Sequence, residues 1–267
     1  MSDADIPRPF RKVFQKHLQQ HRNRSDLLAS MRRHPFPELL IPHLKLELAD
    51  QANVDRLFEE NKIDAVYHLA ANSDIQKGGR QPDIDFNDTL LTTRSLLEGM
   101  RKHDVKNLFF ASTSAIYGDM KDQVLDETTS GVKPASYYGG AKLASEALIY
   151  SYTNMNDMNV VVFRFPNVIG PRLTHGVIFD FIKKLQKNPH ELEILGDGTQ
   201  CKPYIYVLDL VDAITYLTKE FKPGAEVYNI SVESEGTNST NFVERSSSAS
   251  PVSPNLVFTS PIASPAV

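Results

Sequence analysis

The stretch Asn107-Leu-Phe-Phe-Ala-Ser-Thr-Ser-Ala-Ile-Tyr-Gly118 sets an unbroken apolar run directly against a cluster of hydroxyls. Leu108 to Ala111 do not alternate with polar residues, so a strand here must be buried on both faces, as strands of a helix-covered parallel sheet are. Working outward, Leu44 to Leu48, Ala65 to Ala71 and Val160 to Phe165 are similarly dense in Val, Leu and Phe and read as further strands. Asn53 to Asn61, Thr89 to His103 and Gly140 to Tyr152 have helical spacing, the first opening after Asp50 as N-cap. Short buried strands alternating with helices predict an α/β fold, a parallel sheet flanked by helices.

Composition agrees with a globular chain. Of 267 residues, 41% are hydrophobic and 23% charged, and the formal net charge is -4, which gives no general reason to expect nucleic acid or an anionic membrane as partner. Cys201 is the only cysteine, so no internal disulfide and no cysteine-based metal cluster can form, and a reducing, cytoplasmic setting is expected. No run approaches the ~18 apolar residues that span a bilayer. The basic segment Pro9 to His34, with Phe10, Val13, Phe14, His17 and Leu18 at helical spacing, reads as a surface helix.

After Phe165, Pro and Gly punctuate a loop, followed by helices near Val177 to Gln186 and Leu210 to Lys219 with a turn at Gly196 to Gly198 between them, a small substrate-facing lobe. From Glu233 periodicity fails and Ser246, Ser247, Ser248, Pro251, Pro254, Pro261 and Pro265 mark a low-complexity tail, expected to be disordered. The expected organisation is a basic segment over 1–43, an α/β domain over 44–165, a lobe over 166–232 and the tail over 233–267.

Chemistry is concentrated in Tyr138-Gly-Gly-Ala-Lys142, where a tyrosine and a lysine four apart open a helix on one face. A free phenol, with a pKa of about 10, is a poor base at neutral pH, but a neighbouring ammonium stabilises the phenolate and lowers that value. The hydroxyls of Ser112, Thr113 and Ser114 stand at the C-terminal end of a buried strand, where ligands of such sheets bind. Arg164-Phe-Pro-Asn-Val-Ile-Gly-Pro171 brings polar residues and turn formers to the same edge.

Together these residues resemble the extended short-chain dehydrogenase/reductase family, in its sugar-nucleotide epimerase/dehydratase branch, over about Leu44 to Ile230. His68-Leu-Ala-Ala71 is similar to the family's strand-end motif, Leu96-Leu-Glu98 to the helix that follows, and Gly196-Asp-Gly-Thr-Gln200 with Lys202, Tyr206, Val207 and Asp209 to its substrate-lobe signature. The resemblance implies a Rossmann-like sheet and NAD as cofactor, held by Glu47, Leu48, Leu69, Ala70, Ala71, Ser112, Tyr138, Lys142 and Pro166. It implies Tyr138 as acid/base, Lys142 as ribose ligand and tuner of Tyr138, and Thr113 as hydrogen-bond partner of the reacting hydroxyl. Thr113, Ser114, Asn167 and Lys202 would contact a nucleotide-sugar substrate, Lys202 as a point charge where an Arg is commoner. No metal is implied, and a homodimer is left open.

The chain departs from the family at both ends. Met1 to His43 hold no glycine, so the G-x-x-G-x-x-G turn that cradles the pyrophosphate is absent and the sheet is expected to be N-terminally incomplete. Losing two or three charge-assisted hydrogen bonds at about 1.5–3 kcal/mol each predicts weakly held NAD. The lobe also looks partial. After Thr113 stand Ser114 and Ala115, where the family's dehydratases carry an Asp-Glu pair and its decarboxylases a Glu, so the expected reaction is 4-epimerisation of UDP-glucose/UDP-galactose type through a transient keto-sugar. A reductase or dehydratase of the family, or a catalytically silent relative acting as a binding protein, are the alternatives.

Overall fold

The computed structural model describes residues 44–120, 125–194, 201–219, 221–231, 237–238 and 257–259. Its centre is a four-stranded, wholly parallel sheet in the order β1 (Ala65–His68), β2 (Asn107–Thr113), β3 (Asn159–Phe165), β8 (Ala225–Asn229). Gln51–Glu60 (α1) precedes β1, and the helices over Ile75–Arg80 (α2), Pro82–Asp85 (α3) and Thr92–Lys102 (α4) join β1 to β2, a π-turn over Phe86–Leu91 running straight into α4. Tyr137–Asn156 (α5) connects β2 to β3.

Both faces of the sheet are covered, and the side chains sort by parity along each strand. Leu108 and Phe110 of β2, with Val160 and Val162 of β3, pack under Val54, Phe58, Leu96, Leu97, Met100 and Ile149 of α1, α4 and α5. Phe109, Val161 and Phe163 point the other way, onto Ile205, Ile230 and Leu210, the last on the helix Val207–Leu217 (α7). Apolar residues at successive positions are what a doubly covered strand requires. Asp50 caps α1 as expected, its side chain accepting from the Ala52 N–H. Ser136 does the same for α5 through Gly139 N–H, and α5 ends at Asp157 in the left-handed region, φ 49°.

Leu44 to Leu48, expected as a strand, is not one. The segment is irregular and turns at Leu48 and Ala49, with Asp50 N–H donating to Glu47 carbonyl. Among the described residues nothing pairs with it, and an apolar run becomes a strand only when a neighbour satisfies its backbone.

Beyond Phe165 the lobe is built from short pieces. Asn167–Ile169 (β4) pairs with Tyr204–Tyr206 (β7) in parallel, and Val177–Lys187 (α6) packs on Glu191–Glu193 (β5) through Phe181, Leu192 and Ile194. The tail was expected to be disordered, yet Thr237–Asn238 (β9) pairs antiparallel with Cys201–Lys202 (β6), and Val257–Thr259 (β10) pairs in parallel with β5. Backbone pairing at an open edge makes little demand on side-chain pattern, which is why composition did not signal it. The expected N-terminal helix, the turn at Gly196 to Gly198 and the remainder of the tail lie outside the described residues. No helix of the described residues is long and apolar enough to cross a membrane.

Candidate active site

β2 and α5 build the site. β2 ends at Thr113, which is buried and whose hydroxyl accepts from the Ala115 N–H at 3.1 Å, capping the 3-10 turn Ser114–Ile116. The turn closes on Tyr117 and Gly118, and Gly118 at φ +72° forms a bridge with Lys133 that leads the chain toward α5. A Cβ at Gly118 would lie 1.9 Å from the Lys133 carbonyl oxygen, so only glycine fits there. Tyr138, one residue into α5, is half-buried, with the Thr113 side chain close enough to favour its phenolate.

The three residues expected to act together therefore meet at the C-terminal edge of the sheet, but the electrostatics differ from the expectation. Burial pushes the Tyr138 phenol above its ordinary value; the Thr113 hydroxyl pulls it down, and the carboxylate of Asp85 pushes it further up. The expected lowering by Lys142 is not seen. The Lys142 side chain is 2% exposed, donates to the Ala111 carbonyl at 2.5 Å and lies 4.6 Å from the centre of the Phe110 ring. Its charge is thus spent on the strand end and on a ring face, not on the phenol. Burial brings the Lys142 ammonium down to about 8, with Glu146 opposing.

Ser112, expected at the cofactor, is buried and donates instead to Oε1 of Glu146. Ser114 is exposed on the turn, and Pro166 is half-buried between β3 and β4. Leu69 is 65% exposed just past β1, followed by half-buried Ala70 and Ala71, whose own side chains are single methyl groups. Glu47 is exposed and accepts from Ala49 N–H, while Leu48 packs against the edge of the core. Asn167 and Lys202 both lie exposed in the lobe, Asn167 reaching the Pro203 carbonyl at 3.5 Å.

Several polar residues of the site carried no role in the sequence reading. Glu146, on α5, is 1% exposed at its side chain and holds Arg164 of β3 through Nη2 to Oε2 at 2.7 Å and Nε to Oε1 at 3.2 Å. Burial disfavours the Arg164 charge, but the bond and charge of Glu146 outweigh it and hold the guanidinium well above its ordinary value. Arg164 also donates to the Tyr117 hydroxyl, which donates to Asn229 Oδ1 at 2.7 Å at the end of β8. On the other side, His68 is buried with Nε2 2.9 Å from Thr93 Oγ1 and Nδ1 unpartnered, and Asp85 accepts from Asn72 while its Oδ2 is unpartnered against Gly78. Spacing was the available signal for Glu146, which continues the four-residue interval from Tyr138 through Lys142.

The sequence profile described as the NAD dependent epimerase/dehydratase family matches residues 14–231. The chain belongs to that family. It is 32% identical over 246 residues to the probable UDP-arabinose 4-epimerase 3 of Arabidopsis thaliana, covering 84% of this chain and 59% of that relative. To the dTDP-D-glucose 4,6-dehydratase of Homo sapiens it is 32% identical over 190 residues, 71% of this chain and 53% of the other. Among solved structures it resembles the UDP-glucose 4-epimerase of Thermus thermophilus in complex with NAD, with TM-score 0.72 and 28% identity over 89% of this chain and 81% of that one. The chain spans somewhat over half the length of the curated relatives it matches. The Rossmann-like α/β fold and the family reading from the sequence both stand.

Proposed function

We propose that this chain catalyses NAD-dependent 4-epimerisation of a nucleotide-activated sugar, of UDP-glucose/UDP-galactose type, through a transient keto-sugar. The observation that carries the reading is the meeting of Thr113 and Tyr138 at the C-terminal edge of the sheet, one helical turn from Lys142, on a strand end continued by Ser114 and Ala115. Elimination needs a further acid or base at the sugar, and those two positions offer none. Similarity to UDP-sugar 4-epimerases supports the same choice.

The described residues fit the nicotinamide half of the cofactor. Lys142 supplies three donors at the sheet edge, and Ala70 and Ala71 leave the backbone after β1 open to close approach. Bound NAD would supply the hydride acceptor and donor for the sugar carbon. The protein supplies the proton chemistry. Thr113 hydrogen-bonds the sugar hydroxyl and holds it toward Tyr138, and Tyr138 receives that proton while the carbon is oxidised, returning it on reduction from the other face. Because burial keeps the phenol neutral at rest, the step needs positive charge close by. Lys142, one helical turn along α5, is the cation that would supply it and would hold the cofactor ribose.

The test is calorimetry with NAD followed by turnover of UDP-glucose, UDP-galactose and UDP-arabinose in excess NAD. With no glycine in Met1 to His43, binding is expected in the high micromolar range or weaker, as the loss of two or three hydrogen bonds at about 1.5–3 kcal/mol each implies. Interconversion of 4-epimers that rises with added NAD supports the proposal. Saturable NAD binding with no turnover of any of the three sugars refutes it, and absence of binding at millimolar NAD points to the catalytically silent relative.

A further inference from the structure

Thr113 is the last residue of β2, and it is anchored on both sides along the chain. Before it, Ser112 donates to the Glu146 carboxylate of α5 and stands opposite Arg164 in the register of β2 and β3. After it, the 3-10 turn closes on Tyr117, whose N–H donates to the Ser114 carbonyl at 3.1 Å and whose side chain is buried. One guanidinium reaches both flanks. Arg164 grips Glu146 through Nη2 at 2.7 Å and Nε at 3.2 Å, and its Nη1 donates to the Tyr117 hydroxyl at 3.0 Å. The guanidinium carbon also lies 5.3 Å from the centre of the Tyr117 ring. The Tyr117 hydroxyl has one proton to give, and two acceptors stand within its reach, Asn229 Oδ1 at 2.7 Å and the Asp126 carbonyl at 3.1 Å. Asn229 ends β8 opposite Arg164, and its N–H donates to Glu127 Oε1, so the turn is tied to β8 as well. α5 meets the same turn at Gly139, where a Cβ would lie 2.6 Å from the Ala115 carbonyl oxygen. Any shift of the turn is therefore a shift of Thr113 against Tyr138, the residue before Gly139.

We propose that Arg164 is a positioning residue for Thr113 and Tyr138: by holding Glu146 and Tyr117 at once, it fixes the strand end and the turn that aim the Thr113 hydroxyl at the reacting sugar. The inference rests on the reading of Thr113 and Tyr138 as the pair that handles the sugar hydroxyl. Arginine suits the task because its five donors have fixed directions, so the fork on Glu146 dictates where Nη1 points. A lysine, one compact head on a flexible stem, can pair with Glu146 but cannot also set the place of Tyr117. A buried ion pair adds little net stability over apolar residues of similar volume, so placement is what Arg164 and Glu146 contribute.

The experiment uses the full chain with its threonine methyl groups labelled for NMR, the Thr113 signal being the one lost in Thr113→Val, and is run beside steady-state kinetics in excess NAD. Tyr117→Phe deletes one hydroxyl and keeps the ring beside the guanidinium; Arg164→Lys keeps a cation beside Glu146 and loses the fork. Both should displace or broaden the Thr113 signal. Both should also lower kcat by about tenfold or more, since a misplacement of ~1 Å can cost about a hundredfold, with KM for the nucleotide sugar held within about twofold. A role in stability alone would lower Tm and leave the Thr113 signal and kcat where they are in the wild type. If Arg164→Lys does not fold, Tyr117→Phe decides the question, because it leaves the Arg164 and Glu146 charges paired. An unmoved Thr113 signal in the folded variants, or an unchanged kcat where that signal has moved, overturns the proposal. The signal needs neither NAD nor sugar. If the wild type turns over no sugar, the proposed function fails, and the Thr113 signal alone decides whether Arg164 holds the strand end.

Discussion

Lowering the pH should unfold this protein through His68. The ring is 2% exposed at the end of β1, bonded at Nε2 to Thr93 with Nδ1 unpartnered, and burial, then Lys142, brings its pKa from 6.5 to about 3. The folded value lies below the unfolded one, so between about 3 and 6.5 the unfolded chain binds the extra proton. The protein suffers no loss from this group above about 6.5, and stability falls as the pH drops through that window. Three and a half pH units at 1.36 kcal/mol each amount to about 5 kcal/mol, of which about 3 kcal/mol is gone by pH 4.5. Against a total of about 5–15 kcal/mol for a folded domain, that loss is large. Urea unfolding followed by circular dichroism at neutral pH and at about pH 4.5 measures it in the wild type and in His68→Gln, which cannot titrate. The wild type should lose about 3 kcal/mol more than the variant over that interval. Equal losses would refute the argument, since acid sensitivity would then come from other groups.

Tyr138→Phe should abolish epimerisation while leaving the circular dichroism spectrum unchanged, because one half-buried hydroxyl is lost and no packing with it; near-normal turnover would remove Tyr138 from the mechanism. Thr113→Ala should be milder, about twofold to tenfold in kcat/KM, the worth of one neutral hydrogen bond at about 0.5–1.5 kcal/mol. Gly118→Ala should destabilise by about 1–3 kcal/mol in a melting experiment, from a strained backbone and a clash with Lys133; an unchanged melting temperature would show that the bridge is not needed.

The strands that sequence revealed most plainly are β2 and β3, buried on both faces, since continuous apolar runs such as Leu108 to Phe110 and Val160 to Phe163 have no other use. β8, Ala-Glu-Val-Tyr-Asn, was missed because it lies at the sheet's edge and mixes polar with apolar residues. Leu44 to Leu48 misled for the opposite reason: its composition suits a strand, but a strand is a property of two segments and the sequence shows one. Thr113, Tyr138 and Lys142 were legible as a resemblance; what Lys142 does at rest was not, because the direction of a lysine head depends on which carbonyl stands within reach. Glu146 was hidden more thoroughly. On a bare helix an acidic residue reads as solvated surface, and only the covering of α5 by β2 and β3 turns it into a buried charge with two partners.

Every pairing in the central sheet joins segments far apart along the chain: Ala65 meets Asn107, Asn107 meets Asn159, and Val160 meets Ala225. None can form by a local hairpin, so each closure costs loop entropy before any contact repays it, and folding is slow for a chain of this size. The short intervals of α5 give a different impression, because Tyr138, Lys142 and Glu146 would line up in an isolated helix. What they act through, Thr113, the Ala111 carbonyl and Arg164, arrives only when β2 and β3 have zipped together. The candidate site therefore has no half-built form: a chain arrested before the sheet closes holds the residues of the proposed chemistry in order along one helix and none of their partners, and under the proposed function regained turnover would be a late clock for folding, running behind helix content.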